Sequence, residues 1–394
     1  MDSAAHLLAS LEKIGESSFT NEEERLRVRD ALFTALRKVQ SPWDIVWEYI
    51  WVSGATNASV TTLIDAGVFK KWAENGGGSM TCTKLAELTG ADEQLIKRLM
   101  RQISGQHLIT EIAEDTFAPT TWSLAMGTSA TLPNIYGEYL HGVNIPIFAS
   151  LPYFLKDTGF KNPTDLKAGN WQYKKSSPNN FFQDLAVNPG IARDFHCAME
   201  CHSKYNLTSW TEVYPTEKII EAAKEKPDRP LVVDIGGSKG YDLEKFRLCH
   251  PDIGNGSLVL QDLPDVVQDL NLHPSINIQA HNFFDPQPVI GARVYYMHNV
   301  LHDWPDETAI SILRNVVCGL EKGYSRLLVH ESLIQRVNPE ARVTVSDIAM
   351  MACLAAKERT EVEWCQMLEG VGLRIVKIWR PVKSVESVIE AELA

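Results

Sequence analysis

The run LVVDIGGSKGYDLEKF at 231–246 constrains the fold more than any other stretch of the chain. Its apolar start reads as a buried strand ending at Asp234, after which Gly236, Gly237 and Gly240 turn the backbone tightly into a helix. Glycine is wanted there because a side chain would hold a ligand away from the backbone. Three more strand-like runs follow: SLVLQDL at 257–263, RVYYMHNVL at 293–301 and RLLVHES at 326–332, with helical stretches between them. Strands alternating with helices indicate a mostly parallel sheet covered on both faces, an α/β fold of Rossmann-like type.

The 394 residues are too many for one ordinary core, so a second domain is expected. Residues 1–225 read as mostly helical and 226–394 as the Rossmann-like domain, the boundary falling in the polar EAAKEKPDRP at 221–230. Leu32, Leu36 and Val39 lie on one helical stripe that Pro42 interrupts, and the apolar 43–69 segment predicts two or more buried helices. Thr81 is placed to cap a helix carrying Leu85 and Leu88, which Gly90 ends. Asp92 opens another with Leu95, Leu99 and Ile103 on one stripe, and HLITEIAEDTFAPT reads as a small hairpin. Helix, turn, helix and hairpin make a winged-helix outline.

Some proteins of that outline bind DNA, but 50 Asp+Glu against 38 Lys+Arg give a formal net charge of −12. That sign disfavours nucleic acid and anionic membranes as partners. No uncharged apolar run approaches a membrane span, and the N-terminus lacks the basic-then-apolar pattern of a signal peptide. Seven cysteines without a CxxC fit a reducing compartment, so a cytoplasmic location is expected.

The spacing D-x-G-G-x-x-G differs from the G-x-G-x-x-G of dinucleotide sites. A carboxylate at the strand end, Asp234, can accept from an ammonium group and would repel a pyrophosphate. Asp262 ends the second strand-like run, where a carboxylate accepts ribose hydroxyls of any adenosine cofactor. In the third segment Asn282 can bond an adenine edge and Phe283 can cover its face; a plain strand-to-loop corner accounts for that pair equally well. VYYMHNVLHDWPDE places His302 just beyond a strand-like run, with Glu331 and Glu358 able to reach it from neighbouring strand ends or loops. Imidazole suits removal of a phenolic proton, and a carboxylate on its other nitrogen fixes the tautomer. Cys197 and Cys201 share a helix face, but His196 and His202 lie in diverging directions, so a helical core explains the four better than zinc.

Through Asp234–Gly240, Asp262–Pro264, Leu301–Glu307, Glu331 and Lys357–Thr360, the chain resembles the plant caffeic-acid and fungal polyketide O-methyltransferases. The resemblance spans nearly the whole chain, and its His-Asp-Trp and Lys-Glu-Arg-Thr pieces are far more specific than the glycine loop. It implies a winged-helix-like dimerisation domain that helps close the substrate pocket, and a class I domain holding S-adenosyl-L-methionine. It assigns Asp234, Gly236, Gly237 and Gly240 to the methionine end of the cofactor, and Asp262 with Leu263 to the ribose. Asn282 and Phe283 take the adenine, and His298 lies near the cofactor. His302 becomes the general base flanked by Glu331 and Glu358, and Phe195 and Met199 line the cavity for an aromatic or polyketide acceptor. The partners implied are that small molecule and a second copy of the chain, and no metal.

The pattern departs from the family at four positions. Ser238 replaces a frequent glycine, Asn282 stands where many relatives have Asp, and His298 stands where they have Arg or Lys. His141 is an additional histidine, placed like a pocket histidine of fungal relatives that bind the same cofactor yet catalyse dehydration and pericyclic ring formation. Methyl transfer and that second class of reaction both remain open at this point.

Overall fold

A computed structural model describes residues 3–176, 178–206, 208–381 and 386–394. The chain forms two compact units, 1–137 and 138–394. The break comes well before the 225/226 boundary read from sequence. The reason is packing: Val143, Ile147, Leu151, Phe154, Trp171, Phe181 and Leu185 share a core with Ala352, Leu354 and Ala356. The buried Asn170 Nδ2 also donates to Ile147 O (3.0 Å) and Ala352 O (3.3 Å), tying the helices after residue 138 to the C-terminal part of the chain.

The first unit contains the winged-helix outline. Helix Cys82–Thr89 is capped by Thr81 and closed by Gly90 at φ +71°, and Asp92 caps helix Glu93–Ser104. Strands β1 (Met80–Thr81), β2 (Thr110–Ala113) and β3 (Thr116–Ala118) form a small sheet in the order β1-β3-β2. The inward stripe is Ile96, Met100 and Ile103: Ile103 is buried as read and Leu99 packs partly buried against this core, whereas Leu95 is exposed. Lys97 pairs with Glu93 and Asp115, and Arg101 with Asp115, so acidic neighbours balance the basic side of that helix. Helix Glu22–Val39 buries none of its residues within the chain. Burial of the 43–69 segment begins at Ser59 and includes Val60, Leu63, Val68 and Phe69. Upstream, Trp43, Trp47 and Trp51 touch one another and remain exposed within the single chain, in a segment whose helices were expected to pack in part against a partner subunit.

The second unit is built on β4 (Val232–Ile235), β5 (Leu258–Asp262), β6 (Ile276–Ala280), β7 (Val294–His298) and β8 (Arg326–Ile334). The short β9 (Arg359–Thr360) pairs with β8, and β10 (Leu373–Trp379) and β11 (Glu386–Leu393) complete the sheet. Its order is β6-β5-β4-β7-β8-β11-β10. The β4, β5, β6, β7 and β8 pairings are parallel, while β11 runs antiparallel to both β8 and β10. Apolar clusters cover both faces: Val233, Tyr295, Leu313, Val329 and Trp364 belong to one, and Val232, Trp210, Phe246, Tyr296 and Val388 to the other. Strand order reverses between β4 and β7, and ligands of open parallel sheets bind at the carboxyl end of such a crevice. Among the described residues, no helix is long and apolar enough to cross a membrane.

Candidate active site

Asp234 lies almost fully buried one residue before the end of β4, and its Oδ2 has no hydrogen-bond partner. Burial, reinforced by Asp242 nearby, pushes its pKa well above the usual carboxylate range. An unpartnered buried carboxylate is costly unless a donor or cation meets it. The loop beyond it has no room for side chains. A Cβ on Gly237 would stand 2.4 Å from Asp234 Oδ2, and one on Gly236, at φ +73°, would stand 2.9 Å from Val300. Asp262 ends β5 and accepts the Ser238 N–H (2.8 Å) on one oxygen and the Leu263 N–H (2.7 Å) on the other. Each oxygen keeps a lone pair for a further donor such as a ribose hydroxyl. Ser238 reaches this contact at φ +51°, in the left-handed region where a glycine is ordinarily preferred.

Asn282 lies exposed beyond β6, its Oδ1 accepting the Phe284 N–H at 3.1 Å. The Phe283 ring reaches the glycine loop, where its Cε1 would be 3.8 Å from a Cβ on Gly236. Cradle, paired carboxylates and an aromatic edge thus converge at the reversal point. They fit S-adenosyl-L-methionine, whose ammonium would meet Asp234 and whose ribose would meet Asp262.

His302 lies in the single turn Leu301–Asp303 beyond β7. Glu331, fully buried in β8, accepts the N–H groups of Val300, Leu301 and His302 (3.2, 2.9 and 3.3 Å) and so fixes that turn. Arg359 fastens its other side, donating to Leu301 O (2.9 Å), Trp304 O (2.7 Å) and Asp306 Oδ1 (2.9 Å). The ring Nδ1 is 2.9 Å from Glu358 and 3.5 Å from Glu331, so both acids lie on the same edge of the imidazole. Ser346 Oγ donates to Glu358 (2.6 Å), and the Glu358 N–H donates to Asp347 (3.0 Å). Nε2 stands 3.5 Å from Asp303 Oδ1, too long for a strong hydrogen bond.

Burial opposes charge on the His302 ring, but Glu331, Glu358 and Asp303 outweigh it and hold its pKa well above the usual imidazole value. Burial raises Glu331 to about 7 and Asp303 to about 6, with His302 opposing each rise. Ser346, Asp347 and Arg359 support this geometry, yet no spacing rule links them to the histidine in the sequence.

Phe195 is half-buried and packs edge-on to Phe181 (5.3 Å) and tilted against Tyr139 (5.6 Å), whereas Met199 is 45% exposed. Trp304 lies 4.9 Å from Phe284 and 5.9 Å from Phe283. His141 is exposed in the π-helical turn Leu140–Asn144. His298 ends β7 with Nδ1 2.6 Å from Asp242 and Nε2 2.9 Å from Glu386. Asp242 and Glu386 escaped the sequence reading, since a helix N-terminus and a strand some 140 residues later gave no sign of meeting. His202 reaches Glu386 at 3.4 Å rather than joining Cys197 and Cys201 in a metal set, and none of the described metal-competent clusters includes those cysteines.

Comparison with known proteins identifies the family. The model of the O-methyltransferase domain family matches residues 189–374. The chain is 35% identical over 390 residues to O-methyltransferase mfmE of Annulohypoxylon moriforme, covering 98% of this chain and 95% of that protein. The chain belongs to the O-methyltransferase family. Members of that family depend on S-adenosyl-L-methionine, so the O-methyltransferase is an enzyme with a Rossmann-like catalytic fold. In solved structures, the fold of this O-methyltransferase matches a protein described as a pericyclic reaction enzyme at TM-score 0.88, with 24% identity and complete coverage of both chains. It also matches OxaC in complex with sinefungin and meleagrin at TM-score 0.80, with 23% identity over 99% of this chain and 98% of that one.

Proposed function

We propose that the enzyme methylates a hydroxyl of an aromatic small molecule, a fungal secondary metabolite, with His302 as general base. The observation that carries this reading is the His302 ring itself, held at Nδ1 by Glu358 (2.9 Å) and presenting Nε2 on the opposite edge. S-adenosyl-L-methionine, when bound, supplies a methyl carbon on a sulfonium; the C–S bond breaks with its electron pair left on sulfur as the acceptor oxygen forms the new C–O bond. Asp234, Gly236, Gly237 and Gly240 would hold its methionine end, Asp262 and Leu263 the ribose, and Asn282 and Phe283 the adenine. His302 Nε2 takes the acceptor proton, and Glu358 receives the Nδ1–H hydrogen bond and balances the imidazolium. Glu331 keeps the ring in place through the three backbone N–H groups it holds. Asp303, on the Nε2 side, orients the acceptor, and Phe195 and Met199 supply apolar contact. Orientation and exclusion of water account for most of the catalysis, because charge is annihilated along the reaction.

Incubation with methyl-labelled cofactor and a panel of phenols tests this. A labelled product heavier by one methyl supports transfer. An unlabelled isomer or dehydrated product supports the ring-forming reading, in which His141 polarises the substrate. The enzyme is further read as cytoplasmic and as a homodimer, the dimer supported by the exposed apolar row Trp43, Val46, Trp47, Ile50 and Trp51. A solution mass of twice the chain mass is expected, and a monomer at micromolar concentration would overturn the dimer.

A further inference from the structure

Helix Ala341–Leu354 follows β8 and carries Ser346 in its interior. A serine or threonine in such a place often turns its hydroxyl back onto the carbonyl four residues earlier. Ser59 does so with Ala55 O (2.8 Å), Thr62 with Ala58 O (2.7 Å) and Thr128 with Leu124 O (2.9 Å). Ser346 does not. Its Oγ leaves the helix and donates to Glu358 Oε1 at 2.6 Å. The next residue, Asp347, accepts the Glu358 backbone N–H at 3.0 Å. One turn of helix thus holds Glu358 by both its main chain and its carboxylate.

The oxygen that Ser346 holds is the one that meets the base. Glu358 Oε1 lies 2.9 Å from His302 Nδ1, while Glu358 Oε2 is buried without a hydrogen-bond partner. A second acid stands beside the same nitrogen: Glu331 Oε2, also buried and unpartnered, is 3.5 Å from Nδ1. Nδ1 carries one proton, so the two carboxylates compete for it. Glu331 is anchored through its other oxygen by three backbone N–H groups, which set its distance from the ring. Among the described residues, the Glu358 carboxylate has no anchor besides the ring itself except the Ser346 hydroxyl.

We propose that Ser346 is a positioning residue of the enzyme: its hydroxyl makes Glu358, rather than Glu331, the partner of the His302 Nδ1–H, and so keeps the lone pair of the neutral ring on Nε2. This role rests on the reading of His302 as general base. A short O–H···O⁻ bond is among the stronger hydrogen bonds, and two donors meeting one carboxylate oxygen leave that group a single orientation. Without the hydroxyl, either Glu358 oxygen can turn to Nδ1, and the buried carboxylate loses a donor that offsets its removal from water. The same helix carries Met350, Met351 and Cys353, which pack with Phe195 against the core containing Trp171 and Phe181. Ser346 thereby ties the orientation of the base to the wall beside Phe195, where the acceptor lies in that reading.

The test uses the full chain with ¹⁵N-labelled histidine, in spectra recorded at alkaline pH where the His302 ring is neutral. The His302 resonances are those that vanish in His302→Ala. A ring protonated on Nδ1 and bare on Nε2 is expected, with the Nδ1 proton far downfield. Ser346→Ala is expected to move that proton upfield and to mix the two tautomers, and Ser346→Thr, which keeps the hydroxyl, to reverse both changes. In turnover assays Ser346→Ala is expected to lower kcat by about tenfold, as for loss of one hydrogen bond to a charged group, with KM for the acceptor unchanged. On a Glu358→Gln background the same substitution is expected to cost about twofold or less, since it acts through Glu358. An Nδ1 resonance that Ser346→Ala leaves in place overturns the proposal. So does an equal loss of kcat on both backgrounds, or a Ser346→Thr chain no better than Ser346→Ala. The spectra need no acceptor, so this role stands or falls separately from whether the reaction proves to be methyl transfer.

Discussion

His298 and His302 lie four residues apart beside the same strand end, and both are surrounded by carboxylates. Their surroundings nonetheless assign them opposite work. Both nitrogens of His298 are within 2.9 Å of carboxylates, Asp242 on one edge and Glu386 on the other, so neither is left to take a proton from a substrate. The acids of His302 crowd onto its Nδ1 edge, leaving Nε2 with one long approach to Asp303. Both rings are made more basic than free imidazole by their carboxylates, against the effect of burial. Basicity therefore does not separate them; the freedom of the second nitrogen does.

The sharpest way to break this contrast is to remove His302. His302→Ala is expected to lower kcat by about 100-fold or more, since a positioned base contributes 10²–10⁴. Unchanged turnover removes it as the base.

Next in size is the cofactor side. Asp262→Ala is expected to weaken cofactor binding by about 1–3 kcal/mol, the range for lost hydrogen bonds at a partly buried carboxylate. Calorimetric titration with unaltered affinity contradicts its placement on the ribose.

Glu358→Gln then probes the edge that the acids occupy. It keeps a hydrogen-bond acceptor for Nδ1 but deletes one of the charges that, with Glu331 and Asp303, raise the His302 pKa. The wild-type acid limb of kcat/KM is expected above the ordinary imidazole value of about 6.5, because His302 must lose its proton before it can act. Loss of the carboxylate moves that limb to lower pH, with a fall in kcat of about tenfold. A limb that stays in place shows that Glu358 does not set the base.

The smallest effect is on stability at His298. Its raised pKa makes the ion pairs fully effective below about pH 6.5 and lost as pH climbs through the folded value. Asp242 and Glu386 are lowered, so their share is present above about pH 4 and lost as pH falls through their folded values. His298→Gln is expected to lower Tm by about 3 °C between those limits and by less at either extreme. A difference independent of pH shows that the network acts through packing alone.

Much of the fold was readable because it rests on local signals. The glycine loop, the strands β4, β5, β7 and β8, the Thr81 and Asp92 caps and the hairpin all appear where periodicity and turn chemistry placed them. The β10–β11 hairpin was not read. ESVIEAEL is built largely from helix-favouring residues, yet it is a buried strand whose glutamates find partners only in the folded protein. Glu390 meets Tyr214 and Trp379, and Glu392 meets Arg326 and Arg374. The shift from Leu95 and Leu99 to Ile96 and Met100 in the helix 93–104 stripe has a similar origin, since 3.6-residue periodicity tolerates two adjacent apolar faces and only the neighbouring helices select one.

By itself the sequence determined the Rossmann-like sheet, the cradle before Asp262 and the candidacy of His302, because strand alternation, glycine spacing and the His-Asp-Trp run are properties of neighbouring residues. Tertiary structure decided the rest. It brought Glu331 and Glu358 to the same edge of one imidazole, closed Glu386 onto His298 from 88 residues away, and joined residues 138–225 to the catalytic unit. Those outcomes depend on which strand ends meet across the sheet and on which buried charges must find partners, and neither is encoded in any short stretch of chain.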